Sequence, residues 1–210
     1  MAYHTHDILD VTHPITANVI VYCKGDYAIA IDPWKNIEIA KSDEHNEAIQ
    51  DGIDYVYEKY GGGKLTLIGD YIFARKVDLK SNITLDGINC SLKAETGFPD
   101  DSLLRTTTRI EKVQITNITF DGNNVIPYGM LLRVKNAVIN NVIVKNTTSR
   151  GIYIAVSTDN LPPEDIYIEN VEAYSNYHGI EISGTTSGSI QPTRITLRHI
   201  KAHDNTGIGI

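Results

Sequence analysis

From about residue 110 onward the apolar positions of the chain fall into columns. Four segments carry one pattern: VQITNITF from Val113, AVINNVIV from Ala137, DIYIENVEA from Asp165 and RITLRHIKA from Arg194. In each, two apolar residues flank one other residue. Asn or His stands two places after the second of them. Another apolar residue follows at once, and a last one two places later. The columns are Val113, Ala137, Ile166 and Ile195; Ile115, Ile139, Ile168 and Leu197; Ile118, Val142, Val171 and Ile200; and Phe120, Val144, Ala173 and Ala202. They step by 24, 29 and 29 residues. After a variable polar stretch, each copy opens a second apolar strand with glycine: GMLL from Gly129, GIYI from Gly151, GIEI from Gly179 and GIGI from Gly207. A weaker copy, SNITLDG from Ser81, puts Ile83 and Leu85 in the first two columns.

Strict alternation means strands, and a repeat of this length means a stacked unit. One turn buries about six apolar side chains, each contributing roughly 1.5–3 kcal/mol. Ordering its residues costs about 1–2 kcal/mol apiece in backbone entropy. A single turn therefore cannot stand alone, and stacking is obligatory. The expectation is a coil of parallel strands with alternate side chains pointing inward. Asn117, Asn141 and Asn170, with His199 in the fourth copy, predict a ladder of side-chain amides at a buried bend. The competing explanation is that Asn simply favours turns. The glycine column predicts either positive φ or a close backbone approach. A β-sandwich would not need columns in common register, and the copies count against it.

The N-terminal part follows other periods. Residues 1–17 are polar and read as an extended arm. Two alternating stretches around Lys24-Gly25-Asp26, over 18–32, predict a β-hairpin. Ile49, Ile53, Val56 and Tyr60 recur at helical spacing with Ala48 beside them, and Ser42 or Asp43 is placed to cap that helix. Gly61-Gly62-Gly63 ends it. The chain thus divides into an arm and hairpin over 1–41, a helix and glycine turn over 42–63, and the coil over 64–210.

Composition narrows the function classes. The formal charge is −7, and the 19 Lys and Arg are scattered, so no nucleic-acid partner is expected. The same charge counts mildly against a polyuronate substrate unless local Arg or a bound cation reverses the field. No apolar run approaches a membrane span, so no membrane partner is expected. The opening MAYHTHDILD lacks the marks of a secretory signal. Cys23 and Cys90 read as unpaired thiols, with Cys90 in the core. His4, His6 and His13 lack partners at metal-ligand spacing, and KYGGGKLT runs helix-to-strand, the reverse of a phosphate loop. No metal and no cofactor is expected.

The stretch DEHNEAIQDGIDYVYEKYGGGKLTLIGDYIFARKVDLKSNITLDG resembles the opening of pectate-lyase-like (pectin lyase-like) β-helix proteins. There a capping helix, a glycine-rich turn, a strand and an SNITLDG-type rung follow in that order. The later glycine-opened rungs are similar to the same superfamily, so the resemblance covers about residues 42–210. It implies an all-β fold: a right-handed parallel β-helix (solenoid) with an N-terminal capping α-helix, here joined by a small N-terminal β-hairpin. The superfamily includes lyases, glycoside hydrolases, epimerases, viral tailspikes and inert surface proteins, so the resemblance fixes fold before function. The stretch from Tyr177 to Gly184, YHGIEISG, is similar to the Gly-His-Gly rung of polygalacturonases. Those enzymes need paired carboxylates on the two preceding rungs. Here these read SRGIYIAVS and PYGMLLR, without the carboxylates. The clustered acids with which pectate lyases hold calcium are also missing.

Alternation places Leu131, Tyr153, Glu181 and Gly209 in one outward column and Arg133, Ala155 and Ser183 in the next. Tyr128, Arg150, His178 and Thr206 stand just before the glycines. Arg150, Tyr153, His178 and Glu181 are thereby expected in one patch, with Tyr153 offering a stacking face and Arg150 and Glu181 binding hydroxyls. His178 and Glu181 are the candidate proton-moving residues, and Arg150, Tyr153, Arg133 and Ser183 the candidate substrate contacts. The expected partner is a polysaccharide or glycan. Two functions follow: a polysaccharide lyase or glycoside hydrolase, or a non-catalytic adhesin or virion-fibre component using the coil as a rod. Either belongs outside the cell, at a cell surface or on a virion. The sequence stops at GIGI inside a rung, which predicts continuation, a covering partner, or self-association through an open C-terminal end.

Overall fold

The computed structural model describes residues 18–185 and 187–210. The expected arm, with His4, His6 and His13, lies outside them. The described elements begin with β1 (Val19–Lys24), β2 (Tyr27–Asp32), β3 (Ile37–Ser42) and α1 (His45–Tyr60). Long and short strands then alternate: β4 (Gly63–Phe73), β5 (Val77–Asp78), β6 (Ile83–Ala94), β7 (Ser102–Arg105), β8 (Ile110–Asp121), β9 (Tyr128–Leu132), β10 (Val134–Lys145), β11 (Arg150–Ile154), β12 (Glu164–Tyr174), β13 (His178–Ile182) and β14 (Thr193–His203).

The long strands form a nine-stranded sheet in the order β14-β12-β10-β8-β6-β4-β1-β2-β3, and the short ones a five-stranded sheet in the order β13-β11-β9-β7-β5. From β4 to β14 every pairing is parallel. This is a parallel β-solenoid. The register is the one the repeat predicts: Val113 lies beside Ala137, Ala137 beside Ile166, and Ile166 beside Ile195. Ile115, Ile139, Ile168, Phe120, Val144 and Ala173 are buried in one continuous core. Where no further rung lies over β14, the inner column opens: Leu197 is 37% exposed, against 0% for its neighbour Ile168.

How the long strands bend is legible in the backbone. Asn117, Asn141, Asn170 and His199 all have φ between 50° and 61°. Five residues earlier, Lys112, Asn136, Asp165 and Arg194 have φ between 53° and 57°. β8, β10, β12 and β14 each thus turn at two left-handed residues, which cost an ordinary L-residue roughly 1–2 kcal/mol and Asn less. The amide ladder exists in part. Asn141 donates to Asn117 Oδ1 at 2.7 Å, and Asn117 to Asp86 Oδ1 at 2.6 Å. Asn170 turns aside to Asn140 Oδ1 at 3.0 Å. These amides are exposed, not buried as the sequence suggested, so backbone conformation is the first reason for Asn at this bend.

The glycine column has the other of its two expected causes. Gly129, Gly151, Gly179 and Gly207 are absent from the positive-φ residues; the constraint is space. A Cβ on Gly151 would lie 2.5 Å from Val144 Cγ1 and 2.7 Å from the Gly179 carbonyl oxygen. The GIGI segment forms no strand, though its carbonyls accept from Gly179 and Ile180 N–H at 3.0 Å.

The N-terminal hairpin is β1–β2, extended by β3 into an antiparallel three-stranded meander. β3 is exposed along most of its length, which hid it from an apolar-pattern reading. β1 pairs in parallel with β4, so the meander continues the large sheet. Helix α1 begins later than expected, with Glu44 at the N-cap position and no side-chain cap. Ser42 ends β3; its hydroxyl accepts from Glu44 N–H and donates to Glu47. Ala48, Ile49, Ile53 and Val56 enter the core, while Tyr60 stays 46% exposed. Gly61, at φ 71°, closes the helix by donating to the Tyr57 carbonyl. Cys23 and Cys90 are free thiols. With β4 between their strands, they stand two strand spacings apart, about 9.5 Å, beyond disulfide reach.

Two stability outcomes follow. Gly151→Ala lowers stability by about 1–3 kcal/mol through overpacking. Asn141→Gly keeps most of the stability and Asn141→Ala loses about 1 kcal/mol, because the left-handed bend outweighs the exposed amide bond. Urea midpoints measure both; equal loss in the two Asn141 variants would make the ladder dominant.

Candidate functional site

The outer face of the five-stranded sheet gathers the polar groups. Asp78, Arg105, Leu131, Tyr153 and Glu181 are register neighbours along one column. Ser102, Tyr128, Arg150 and His178 form the adjacent one. Parallel rungs hold such residues about 4.8 Å apart, so side chains nearly thirty positions apart in sequence touch.

Arg150 is the centre of the cluster. Its Nε donates to Glu181 Oε2 at 2.5 Å. Its guanidinium carbon lies 4.6 Å from the Tyr153 ring centroid and 5.9 Å from that of Tyr128. The two tyrosine rings are 5.5 Å apart, tilted by 31°. Ser183 Oγ donates to Tyr153 Oη at 3.1 Å. The Glu181 carboxylate raises the guanidinium's proton affinity further, outweighing the opposing effect of burial. A charge-assisted bond to Glu181 and contacts with two neighbouring aromatic rings hold Arg150 in the cluster.

Four expected members therefore meet: Arg150, Tyr153, Glu181 and Ser183. Tyr128, foreseen only as a residue before a glycine, joins them because its column lies beside that of Tyr153. His178 is fastened elsewhere. Its Nδ1 accepts the Ile208 N–H at 2.8 Å, and its ring meets Tyr177 edge-on at 4.4 Å. Among the described residues no hydrogen bond joins His178 to Glu181. Both line a shallow cavity of about 350 Å³ shared with Ile182, Leu197 and Ile208.

Arg133 does not join the cluster. Arg133 Nη1 instead donates to the Thr106 carbonyl at 2.6 Å, tying one rung to the next. Leu131 and Ala155, expected on the surface, are buried. Leu131 is flanked in its column by the long side chains of Arg105 and Tyr153, which can lie over it.

A second polar cluster stands on the outer face of the large sheet. His203 bridges two carboxylates, with Nε2 2.9 Å from Glu172 Oε1 and Nδ1 2.8 Å from Asp204 Oδ2, and its ring stacks on Tyr174 at 5.2 Å. Glu172 first, then Asp204, raise the imidazole's pKa above its ordinary value. His203 adjoins the left-handed bend at Asp204. Among the described residues no group of three or more His, Cys, Asp or Glu is placed to hold a metal, and no helix is long and apolar enough to cross a membrane.

A scan against protein-family models finds no match, and neither does a search of curated protein sequences. Among solved structures, the chain is similar to the A-module of the mannuronan C-5 epimerase AlgE6 of Azotobacter vinelandii, with TM-score 0.52 and 19% identity. The match covers 75% of this chain and 51% of the module, so the chain spans about half the module's length. A candidate glycosyl hydrolase of Parabacteroides merdae aligns over 73% of this chain and 86% of its own, at TM-score 0.43 and 13% identity. The first likeness supports the β-helix fold.

The His203 bridge has a pH signature. A histidine whose folded pKa is raised contributes stability that is fully present below its unfolded value, about 6.5, and is lost as pH rises through the folded value. His203→Gln should therefore lower the melting temperature at pH 5.5 and approach wild type at pH 9. An equal difference at both values would remove the charge from the account.

Proposed function

We propose that this protein is a glycan-binding β-helix whose sugar-facing surface is the outer face of the five-stranded sheet. The observation carrying the reading is the Arg150 cluster: an arginine beside the paired rings of Tyr128 and Tyr153, bound to Glu181, with Ser183 on the Tyr153 hydroxyl. Aromatic faces with donors and acceptors at their rims suit sugar rings, whose faces are apolar and whose edges carry hydroxyls. The rigidity of the coil supports this reading, because a pre-organised surface loses little entropy on binding. In the same reading the coil is right-handed, as parallel crossovers nearly always are, and α1 closes its N-terminal end. A pectate-lyase-like ancestry fits both features.

Binding is favoured over catalysis by what the two proton-moving candidates are doing. Glu181 is already bound to Arg150, and His178 Nδ1 already accepts a backbone N–H. A base needs a free lone pair, and His178 Nδ1 and Glu181 Oε2 are both taken. The alternative is a lyase or hydrolase using His178 and Glu181, with Arg150, Tyr153 and Ser183 as substrate contacts.

On a glycan array, Tyr153→Ala and Glu181→Ala should each lower signal about tenfold or more, as loss of an aromatic anchor or a charged bond does, with far-ultraviolet circular dichroism unchanged. Undiminished binding by both variants would defeat the assignment. Unsaturated-product absorbance at 235 nm and a reducing-sugar assay over a polysaccharide panel should stay at background. Product formed by wild type and abolished in His178→Ala would establish the enzymatic alternative.

A further inference from the structure

The large sheet carries a groove of its own where β4, β6, β8 and β10 bend. One rung there has extra chain. β8 runs directly from Thr116 through Asn117 to Ile118, whereas β6 inserts Gly87 and Ile88 between the register partners Asp86 and Cys90. The insertion folds tightly: a Cβ on Gly87 would lie 2.2 Å from the Asn117 carbonyl oxygen. It brings Asn89 to the bend at φ 47°. In the next rungs the bend amides are spent along the coil, Asn141 on Asn117 and Asn117 on Asp86. Asn117 thereby bypasses Asn89, its counterpart in β6. The Asn89 side chain is exposed, and among the described residues nothing hydrogen-bonds it.

The space beside the insertion is a groove of about 450 Å³, lined by Asp70, Asn89, Ser91, Thr119 and Asn141 with Cys90 beneath. Asp70, Ser91 and Thr119 are register neighbours on three adjacent strands. Ser91 Oγ donates to Asp70 Oδ1 at 2.5 Å, and the Cys23 thiol donates to the Asp70 carbonyl at 3.1 Å. The carboxylate is held by these bonds, and its Oδ2 stays open. Among the described residues no cation pairs with Asp70, and the Thr119 hydroxyl and Asn141 Oδ1 have no partner. Burial first, and the Asp70 carboxylate next, push the Cys90 thiol pKa up. Cys90 therefore stays protonated and offers neither a nucleophile nor a metal ligand.

We infer that this groove is a second carbohydrate site, which takes a short neutral oligosaccharide lying across the rungs. Sugar hydroxyls donate to Asp70 Oδ2 and Asn141 Oδ1 and accept from the Asn89 side chain and the Thr119 hydroxyl. No Lys or Arg lines the groove, and Asp70 repels a uronate, so the ligand is neutral. No aromatic ring lines it either, so binding is weak, at about 1 mM, and the Arg150 surface governs the signal on a glycan array. This site is separate from the Arg150 cluster and does not rest on it.

The full chain, isotope-labelled and carrying Glu181→Ala to weaken the sheet surface, is titrated by NMR. The probes are neutral gluco-, manno- and galacto-oligosaccharides and a uronate oligosaccharide of equal length. At least one neutral probe should shift the Asn89 side-chain amide and the Thr119 backbone resonances saturably, and the uronate should bind about tenfold more weakly. Asp70→Asn, which keeps an acceptor for Ser91, should raise the half-saturation concentration about tenfold, as loss of a charged hydrogen bond does. Thr119→Val should raise it about threefold, and so should Asn89→Gly, which keeps the left-handed bend. Resonances that no neutral probe moves up to about 10 mM, well above the expected half-saturation, overturn the proposal. So does binding that Asp70→Asn and Thr119→Val both leave unchanged, or a uronate that binds more tightly than every neutral probe.

Discussion

The constraint on which this molecule depends is vertical register. An inward side chain in one rung must lie against an inward side chain in the next. Ile115, Ile139 and Ile168 illustrate it: three buried residues, 24 and 29 positions apart, form one apolar stack. A rung alone cannot repay its own ordering, so every rung draws stability from its neighbours. Register from β8 to β14 goes with bends at the same two places in each long strand. That is why the left-handed residues recur in two columns five positions apart, and why side chains are excluded where Gly151 passes the next rung.

The same constraint explains which parts of the fold the sequence revealed. The apolar columns were legible because burial restricts side-chain identity. The bend at Asn117, Asn141 and Asn170 was legible because Asn tolerates the conformation best. The earlier bend was not, because Lys112, Asn136, Asp165 and Arg194 share a backbone angle and no side-chain chemistry. β3 was missed because IEIAKS is an exposed edge with little to bury. The Asp32 carboxylate, which ties the end of β2 to α1, was missed because its partners, Tyr55 and Tyr60, come from another element and are joined only by folding.

For the candidate site, alternation within strands and the step between rungs together located Arg150, Tyr153 and Glu181. The reading failed at two side chains of this face, Arg133 and Leu131. Arg133 lies one residue past β9, and its side chain turns to the Thr106 carbonyl. Exposure was also misjudged for Leu131, because a column position facing outward can still lie beneath longer neighbours. A surface of this kind is assembled across rungs, so its geometry is inherited from the core: the separation of Tyr128 from Tyr153 is set by strand spacing.

Cross-linking tests the register most directly. Gln114 and Val138 are outward neighbours on β8 and β10, and Ile139, one position on, points into the core. With Cys23 and Cys90 replaced by Ala, Gln114→Cys with Val138→Cys should form a disulfide under mild oxidation, since adjacent strands bring their Cα atoms to about 4.8 Å. Gln114→Cys with Ile139→Cys should stay reduced. Efficient cross-linking of the second pair, or of neither, would contradict the register on which the solenoid and the Arg150 surface stand.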